Sequence, residues 1–132
     1  MTRIETRECV VFFIYQSSFR TEGNDEQIAI YKENNPDVVD DVEYFDTMCK
    51  GVIENKEDLD ARISKFLKKW TINRLPKLDL AILEASVYEI LYMKDIPTSV
   101  TINEAVRLSK KFGTGDSASF VNGLLSSFEK SL

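Results

Sequence analysis

The chain has 132 residues, 43% of them hydrophobic, with 22 acidic against 17 basic side chains, a formal net charge of -5 and no histidine. That length fits one compact domain that can bury a core without a metal or disulfide staple. The missing histidine excludes Ser-His-Asp and Cys-His nucleophile systems, the usual zinc and haem ligand sets, and the commonest general base near neutral pH.

Five glycines and three prolines punctuate the sequence, and the apolar residues between them recur at spacings of three and four, an all-helical pattern. The first helix is predicted from about Thr2 to Ser18, with Val10, Phe13, Ile14 and Ser17 inward and Arg3 and Arg7 stacked one turn apart on its surface. Its longest apolar run, Cys9 to Tyr15, is too short for a membrane span, and the charges before it do not fit a secretory signal. A short helix follows near Asp25 to Asn34 and is broken by Asn35-Pro36. Val42, Phe45, Cys49, Val52 and Ile53 form the next stripe, and Leu59, Ile63, Phe66, Leu67 and Trp70 another, with the Asn55 side chain as its expected cap.

Pro76 stands at the start of a long, strongly apolar helix bearing Leu80, Leu83, Val87, Ile90 and Leu91, the expected central core element, which Asp95-Ile96-Pro97 ends. Thr101 and Glu104 have the spacing of a capping box, and Ile102, Ala105, Val106, Leu108 and Phe112 carry the following helix to Gly113, expected as a left-handed stop. Asp116 or Ser117 caps the last helix, on which Phe120, Val121, Leu124, Leu125 and Phe128 align. The fold class is all-α, with about seven helices in a single domain, 1–132, built from a subdomain 1–70 and a subdomain 71–132.

Charge is unevenly spread. Residues 22–60 hold 13 acidic residues and three lysines, a balance of -10, which leaves +5 elsewhere. Overall acidity therefore does not exclude nucleic acid, because binding follows the local field of one face. Cys9 and Cys49 are 40 positions apart, in no CxxC arrangement, and read as reduced, packed thiols of a cytoplasmic protein.

Arg3, Arg7 and Tyr15 can fall along one broad helical face, where guanidinium groups hold phosphates and a tyrosine ring stacks on a base, as single-stranded RNA requires. The plainer reading is an ordinary solvated helix face. Lys110 to Ser117 joins two helices through a glycine-containing turn that lacks the strand and GK[ST] ending of a P-loop. It offers Lys110, Lys111, two aromatic rings in Phe112 and Phe120, and the free amides of the last helix, while Asp116 places a carboxylate against any bare anion. A simple connection with both rings in the core is the other reading. Glu84 with Glu89, and Asp79 with Glu84, are spaced by five and do not share a helical face, so no acid and base pair emerges. Neither an enzyme nor a metal or cofactor is expected.

Leu75-Pro76-Lys77-Leu78-Asp79-Leu80-Ala81-Ile82-Leu83, then Val87-Tyr88-Glu89, Asp95-Ile96-Pro97, Ile102-Asn103-Glu104-Ala105, Lys111-Phe112-Gly113, Asp116-Ser117 and Phe120-Val121-Asn122-Gly123 follow one another in an order that resembles the transcription antitermination factor NusB family. Arg7-Glu8-Cys9 with Tyr15 resembles the start of the same family, while residues 20 to 60 match thinly. The resemblance implies two packed helical subdomains and no catalysis. It implies binding of boxA-type leader RNA together with NusE, the small-subunit ribosomal protein, within an RNA polymerase antitermination complex that promotes processive transcription of rRNA operons. By position it assigns RNA contact to Arg3, Arg7 and Tyr15, and to a second region holding Lys110, Phe112, Asp116, Phe120 and Asn122, with Lys111 beside them. It assigns NusE contact to Asp79. Ile4, Glu5 and Thr6 stand where family members often carry consecutive basic residues, and Glu84 where a basic residue is common, which implies weak RNA binding without NusE. Two alternatives stay open: the RNA-recognition domain of an rRNA cytosine methyltransferase, and a helical interaction module without RNA. The chain could be a monomer or a homodimer.

Overall fold

The computed structural model describes residues 2–20, 23–68 and 71–132. Its helices are α1 (Arg3–Ser17), α2 (Asn24–Asn34), α3 (Val42–Glu54), α4 (Lys56–Ser64), α5 (Lys77–Tyr92), α6 (Thr98–Phe112) and α7 (Ser117–Lys130), with short 3₁₀ segments at Pro36–Asp41 and Ile72–Arg74. Among the described residues there is no strand. Trp70, expected on the fourth apolar stripe, lies outside them.

α1 starts where Thr2 and Glu5 satisfy each other's first-turn amides. The Glu5 N–H donates to Thr2 Oγ1 and the Thr2 N–H donates to Glu5 Oε1, both at 3.2 Å, a capping box that the sequence reading did not anticipate. α2 closes before Pro36 with the Asn35 amide donating to the Tyr31 carbonyl at 2.9 Å. Val10, Phe13 and Ile14 turn inward as expected, and Val11 joins them.

α5 is buried on every side from Asp79 to Ile90, as a helix apolar around its circumference must be. It packs against α1, α3, α4, α6 and α7, and Ile82, Leu83 and Val87 are wholly enclosed with Phe13, Phe45, Met48, Leu59, Ile63 and Leu125. The polar residues on this buried helix therefore need partners from neighbouring helices, and those partners shape the site below.

Several expected caps are taken by other bonds. The Asn55 side chain does not cap α4; its amide donates to the Gly51 carbonyl at 2.8 Å and closes α3. α6 begins at Thr98 after Pro97, so Thr101 and Glu104 lie inside it and form no capping box. Gly113 is extended, at φ -90 and ψ -171, and is not a left-handed stop. Its requirement is space: a Cβ there would fall 2.7 Å from the Ser109 carbonyl oxygen and from Ser117 Cβ. α7 starts without a side-chain cap from Asp116, and the Ser117 hydroxyl instead accepts from the Thr114 N–H at 3.0 Å and donates to Asp79 at 2.9 Å.

Candidate nucleic-acid interface

The centre of the arrangement is Glu89, on the buried face of α5 and 2% exposed. Arg7 Nη2 donates to its Oε1 at 2.9 Å, Arg7 Nε to its Oε2 at 3.4 Å, Tyr44 Oη to Oε2 at 2.5 Å and Thr101 Oγ1 to Oε1 at 2.8 Å. One carboxylate thus joins α1, α3 and α6 to α5. Desolvation works against charge on Arg7, but the hydrogen bond and charge of Glu89 outweigh it and raise the guanidinium's pKa above the ordinary arginine value. Burial, and then the charge of Glu89, likewise hold Tyr44 firmly protonated as the donor.

This corrects the placement of Arg7. It was expected on the surface of the first helix, yet it is 8% exposed, because α5 offers a buried carboxylate that only a cation can balance. Its guanidinium is committed to the interior and does not stand beside Arg3 as a free phosphate ligand.

Arg3 remains at the surface, its side chain 43% exposed and paired with Asp41 at 2.6 Å. Tyr15, eight residues after Arg7, is half-buried and meets the exposed Phe19 edge-on, with centroids 5.3 Å apart. On the side of α1 facing α6, Glu8 accepts from Lys111 Nζ at 2.9 Å and lies 3.7 Å from Arg107. Phe112 is half-buried against Phe12, edge-on with centroids 4.8 Å apart, and Lys111 Nζ sits 5.2 Å from its ring. The α1–α6 seam therefore gathers Lys111 and Phe112, but with one lysine already neutralised.

Lys110 and Asn122 come together across α6 and α7. With Asn103, Val106 and Arg107 they line a shallow groove of about 480 Å³. Among the described residues Lys110 forms no ion pair, and no carboxylate lines this groove. Lys110 with the two side-chain amides can hold phosphate oxygens and base edges, while Arg107 is already paired with Glu104 and Glu8. Asn103 and Arg107 were missed by sequence reasoning, although they stand seven and three residues before Lys110, a spacing that puts all three on one helical face.

Asp116 and Phe120 lie elsewhere, with Asp79, Ser117, Arg74, Leu75, Pro76 and Thr114 around a cleft of about 320 Å³. Asp116 is exposed and Phe120 half-buried. Asp79 is 5% exposed and receives the Ser117 hydroxyl, and burial pushes its carboxyl above the usual carboxylate range while that bond partly offsets the effect. The second region named by the resemblance is thus divided among the α1–α6 seam, the α6–α7 groove and the cleft at the start of α5.

Glu84, weighed above as a catalytic carboxylate, is 2% exposed and bonded to Lys56 Nζ at 2.6 Å. Burial, followed by the adjacent Asp60 carboxyl, pushes it up to about 8, against the opposing pull of Lys56. Asp60 Oδ1 is buried without a hydrogen-bond partner, while its Oδ2 accepts from Lys56 Nζ at 3.2 Å. The cluster lies between α4 and α5, with Glu84 buried and the Lys56 side chain 46% exposed. Among the described residues no group of carboxylates and thiols is arranged to hold a metal, and no helix is long and apolar enough to cross a membrane. Cys49 is buried and Cys9 half-buried, and desolvation raises the pKa of each thiol.

Comparison with known proteins gives a consistent result. The model of the NusB family matches residues 4–130. The transcription antitermination protein NusB of Clostridium novyi (strain NT) is 39% identical over 132 residues, covering 98% of this chain and 99% of that one. The NusB protein of Ruminiclostridium cellulolyticum is 42% identical over 130 residues, with 98% and 90% covered. Among solved structures, T. maritima NusB superposes with a TM-score of 0.84 at 35% identity, covering 98% of this chain and 92% of that one. A chain from a crystal structure of the antitermination factors NusB and NusE in complex with double-stranded RNA superposes with a TM-score of 0.85 at 25% identity, each covered over 100% of its length. Matched by the family model from its fourth residue almost to its end, and by relatives of its own length in both sequence and fold, this chain belongs to the NusB family.

Proposed function

We propose that this protein is a transcription antitermination factor that binds boxA-type leader RNA together with NusE and so supports processive transcription of rRNA operons by RNA polymerase. The observation that carries the reading is the full-length agreement, in sequence and fold, with NusB antitermination proteins, one of them crystallised with NusE and RNA. The protein acts by binding, without catalysis or cofactor, in the cytoplasm. Its RNA face comprises Arg3, Tyr15, Lys110, Lys111, Phe112, Asp116, Phe120 and Asn122, with Arg7 acting beneath it by fixing α1. NusE contact falls to Asp79 at the start of α5, which holds Ser117 in place and contributes little exposed charge of its own. The two subdomains, 1–70 and 71–132, carry the α1 portion and the α6–α7 portion of this face respectively.

With Arg7 internal, Arg3 is the one arginine of α1 with an exposed guanidinium. Each phosphate contact on a single strand contributes a slope of roughly 0.7 in the salt dependence, so a face short of cations binds RNA weakly and with a flat salt response. The test is a gel shift with labelled boxA RNA at moderate salt. The expected result is a faint complex with this protein alone and a strong one when NusE is added, with a scrambled RNA retained poorly. No shift with NusE present would overturn the RNA reading, and equal affinity with and without NusE would overturn the division of labour.

A further inference from the structure

The exposed guanidinium of α1 does not point toward open solvent. Arg3 Nε donates to Asp41 Oδ2 at 2.6 Å and Nη2 reaches Oδ1 at 3.4 Å, while the guanidinium carbon lies 4.1 Å from the centroid of the Tyr44 ring. A planar fork of N–H groups set on a carboxylate is the same arrangement that a guanidinium offers to a phosphate. Asp41 thus occupies in cis the donors that RNA would need.

The surroundings make the two uses exclusive. Arg3 lies in a cleft of about 410 Å³ whose other charged lining groups are Asp41, Glu43 and Asp95. A phosphate approaching Arg3 there would meet three carboxylates, and repulsion would cancel the attraction of one cation. For Arg3 to hold RNA its side chain must leave the cleft, while its backbone stays fixed in the capped first turn of α1. The surface it leaves is rigid, because the Tyr44 hydroxyl is committed to Glu89 at 2.5 Å.

We propose that Asp41 and Tyr44 park Arg3 in the free protein, and that RNA recruits Arg3 by exchanging the Asp41 carboxylate for a phosphate, so that Asp41 sets how much of Arg3's attraction reaches the RNA. The inference rests on the reading that this protein binds leader RNA through α1. Asp41 is a positioning residue in this account and touches no RNA. The pair is partly exposed, 43% for Arg3 and 22% for Asp41, and pairs of that kind shift an equilibrium by about fivefold at most. That is weak enough to exchange and large enough to measure.

The experiment is a double-mutant cycle on boxA RNA binding in the presence of NusE, read by fluorescence anisotropy with a labelled RNA. Asp41→Asn should tighten binding by about two- to fivefold, and Arg3→Ala should weaken it. In the Arg3→Ala background Asp41→Asn should have no further effect, since the group it releases is gone. A tightening of equal size in that background would mean that Asp41 acts only as a general negative charge, and the exchange would be overturned. An unchanged or weaker complex for Asp41→Asn alone would overturn it as well, the latter by making Asp41 an orienting partner of Arg3. Exchange protection of the Arg3 Nε–H in the RNA-free protein gives a second readout: it should be lost in Asp41→Ala, which removes the acceptor, while the thermal midpoint stays close to wild type, and protection retained in that variant would contradict the parked state. If wild type with NusE binds no RNA, the functional reading itself has failed, a result distinct from every outcome of the cycle.

Discussion

Removing the Arg7 guanidinium would leave Glu89 charged in the interior with only the hydroxyls of Tyr44 and Thr101 as donors. Breaking a buried pair from one side in this way costs about 3–5 kcal/mol, because the stranded charge keeps its desolvation penalty. Arg7→Ala should therefore lower unfolding stability by that amount in chemical denaturation. Glu89→Gln, which keeps one oxygen where Tyr44 and Thr101 each use their own, should leave Arg7 without its counter-charge and also destabilise. Replacing the pair together, as Arg7→Met with Glu89→Leu, should cost less than either single change. Equal stability of Arg7→Ala and wild type would place the guanidinium outside the interior. Nothing near Arg7 in the sequence reveals this: its partner lies 82 positions away, and a lone arginine one turn after another reads as surface. The Glu8 and Asp41 contacts escaped for the same reason, since ion pairing between distant segments leaves no local spacing.

At the level of elements, the helices were legible because burial is periodic, and α1, α2 and α5 to α7 begin and end within a few residues of their predicted bounds. The caps were less legible. Thr101 and Glu104 have the spacing of a capping box, yet Thr101 serves Glu89, and Glu104 bonds Arg107 at 3.2 Å. For Thr101 a buried partner on another helix outweighs a local bond that water could replace, whereas Glu104 pairs within its own helix. Close approach between helices was equally invisible. Gly51 lets α3 lie against α5 so tightly that a Cβ would fall 2.1 Å from Tyr88 Cζ. Gly51→Ala should destabilise by about 1–3 kcal/mol through overpacking, exceeding the roughly 1 kcal/mol that alanine gains over glycine in a helix. Gly123, also inside a helix but with nothing within 4 Å of its would-be Cβ, is the control: Gly123→Ala should stabilise by up to about 1 kcal/mol. Thermal melts of the two variants should move in opposite directions, and a shared direction would contradict the packing.

For the whole molecule, charge and protons are distributed with a purpose that the total of -5 conceals. The acidic stretch 22–60 supplies Asp41 to Arg3, Asp46 to Lys32 and Asp60 to the Glu84 cluster, while Lys110 and the side-chain amides of the α6–α7 groove lie outside it. Glu84 also makes stability depend on pH. Its folded pKa, about 8, is above its unfolded value near 4.5, so the folded state holds a proton that the unfolded state releases across that window. The contribution is fully present below about 4.5 and is lost as pH rises through 8, with a slope of at most about 1.4 kcal/mol per pH unit for one group. Denaturation at pH 5.5 and 8.5 should show wild type losing stability with rising pH and Glu84→Gln, which cannot ionise, losing less. The same pH slope in both proteins would rule out Glu84 as its source.

The four-helix junction at Glu89 has a further consequence for recognition. Because α1 is clamped to α3, α5 and α6 through that one carboxylate, its ordering entropy is spent during folding and none is left to be spent on association. A ligand arriving at α1 meets a rigid helix and needs to reorganise only side chains such as Arg3. The heat-capacity change of such binding then reflects the surface covered, without the large additional decrement that accompanies coupled folding.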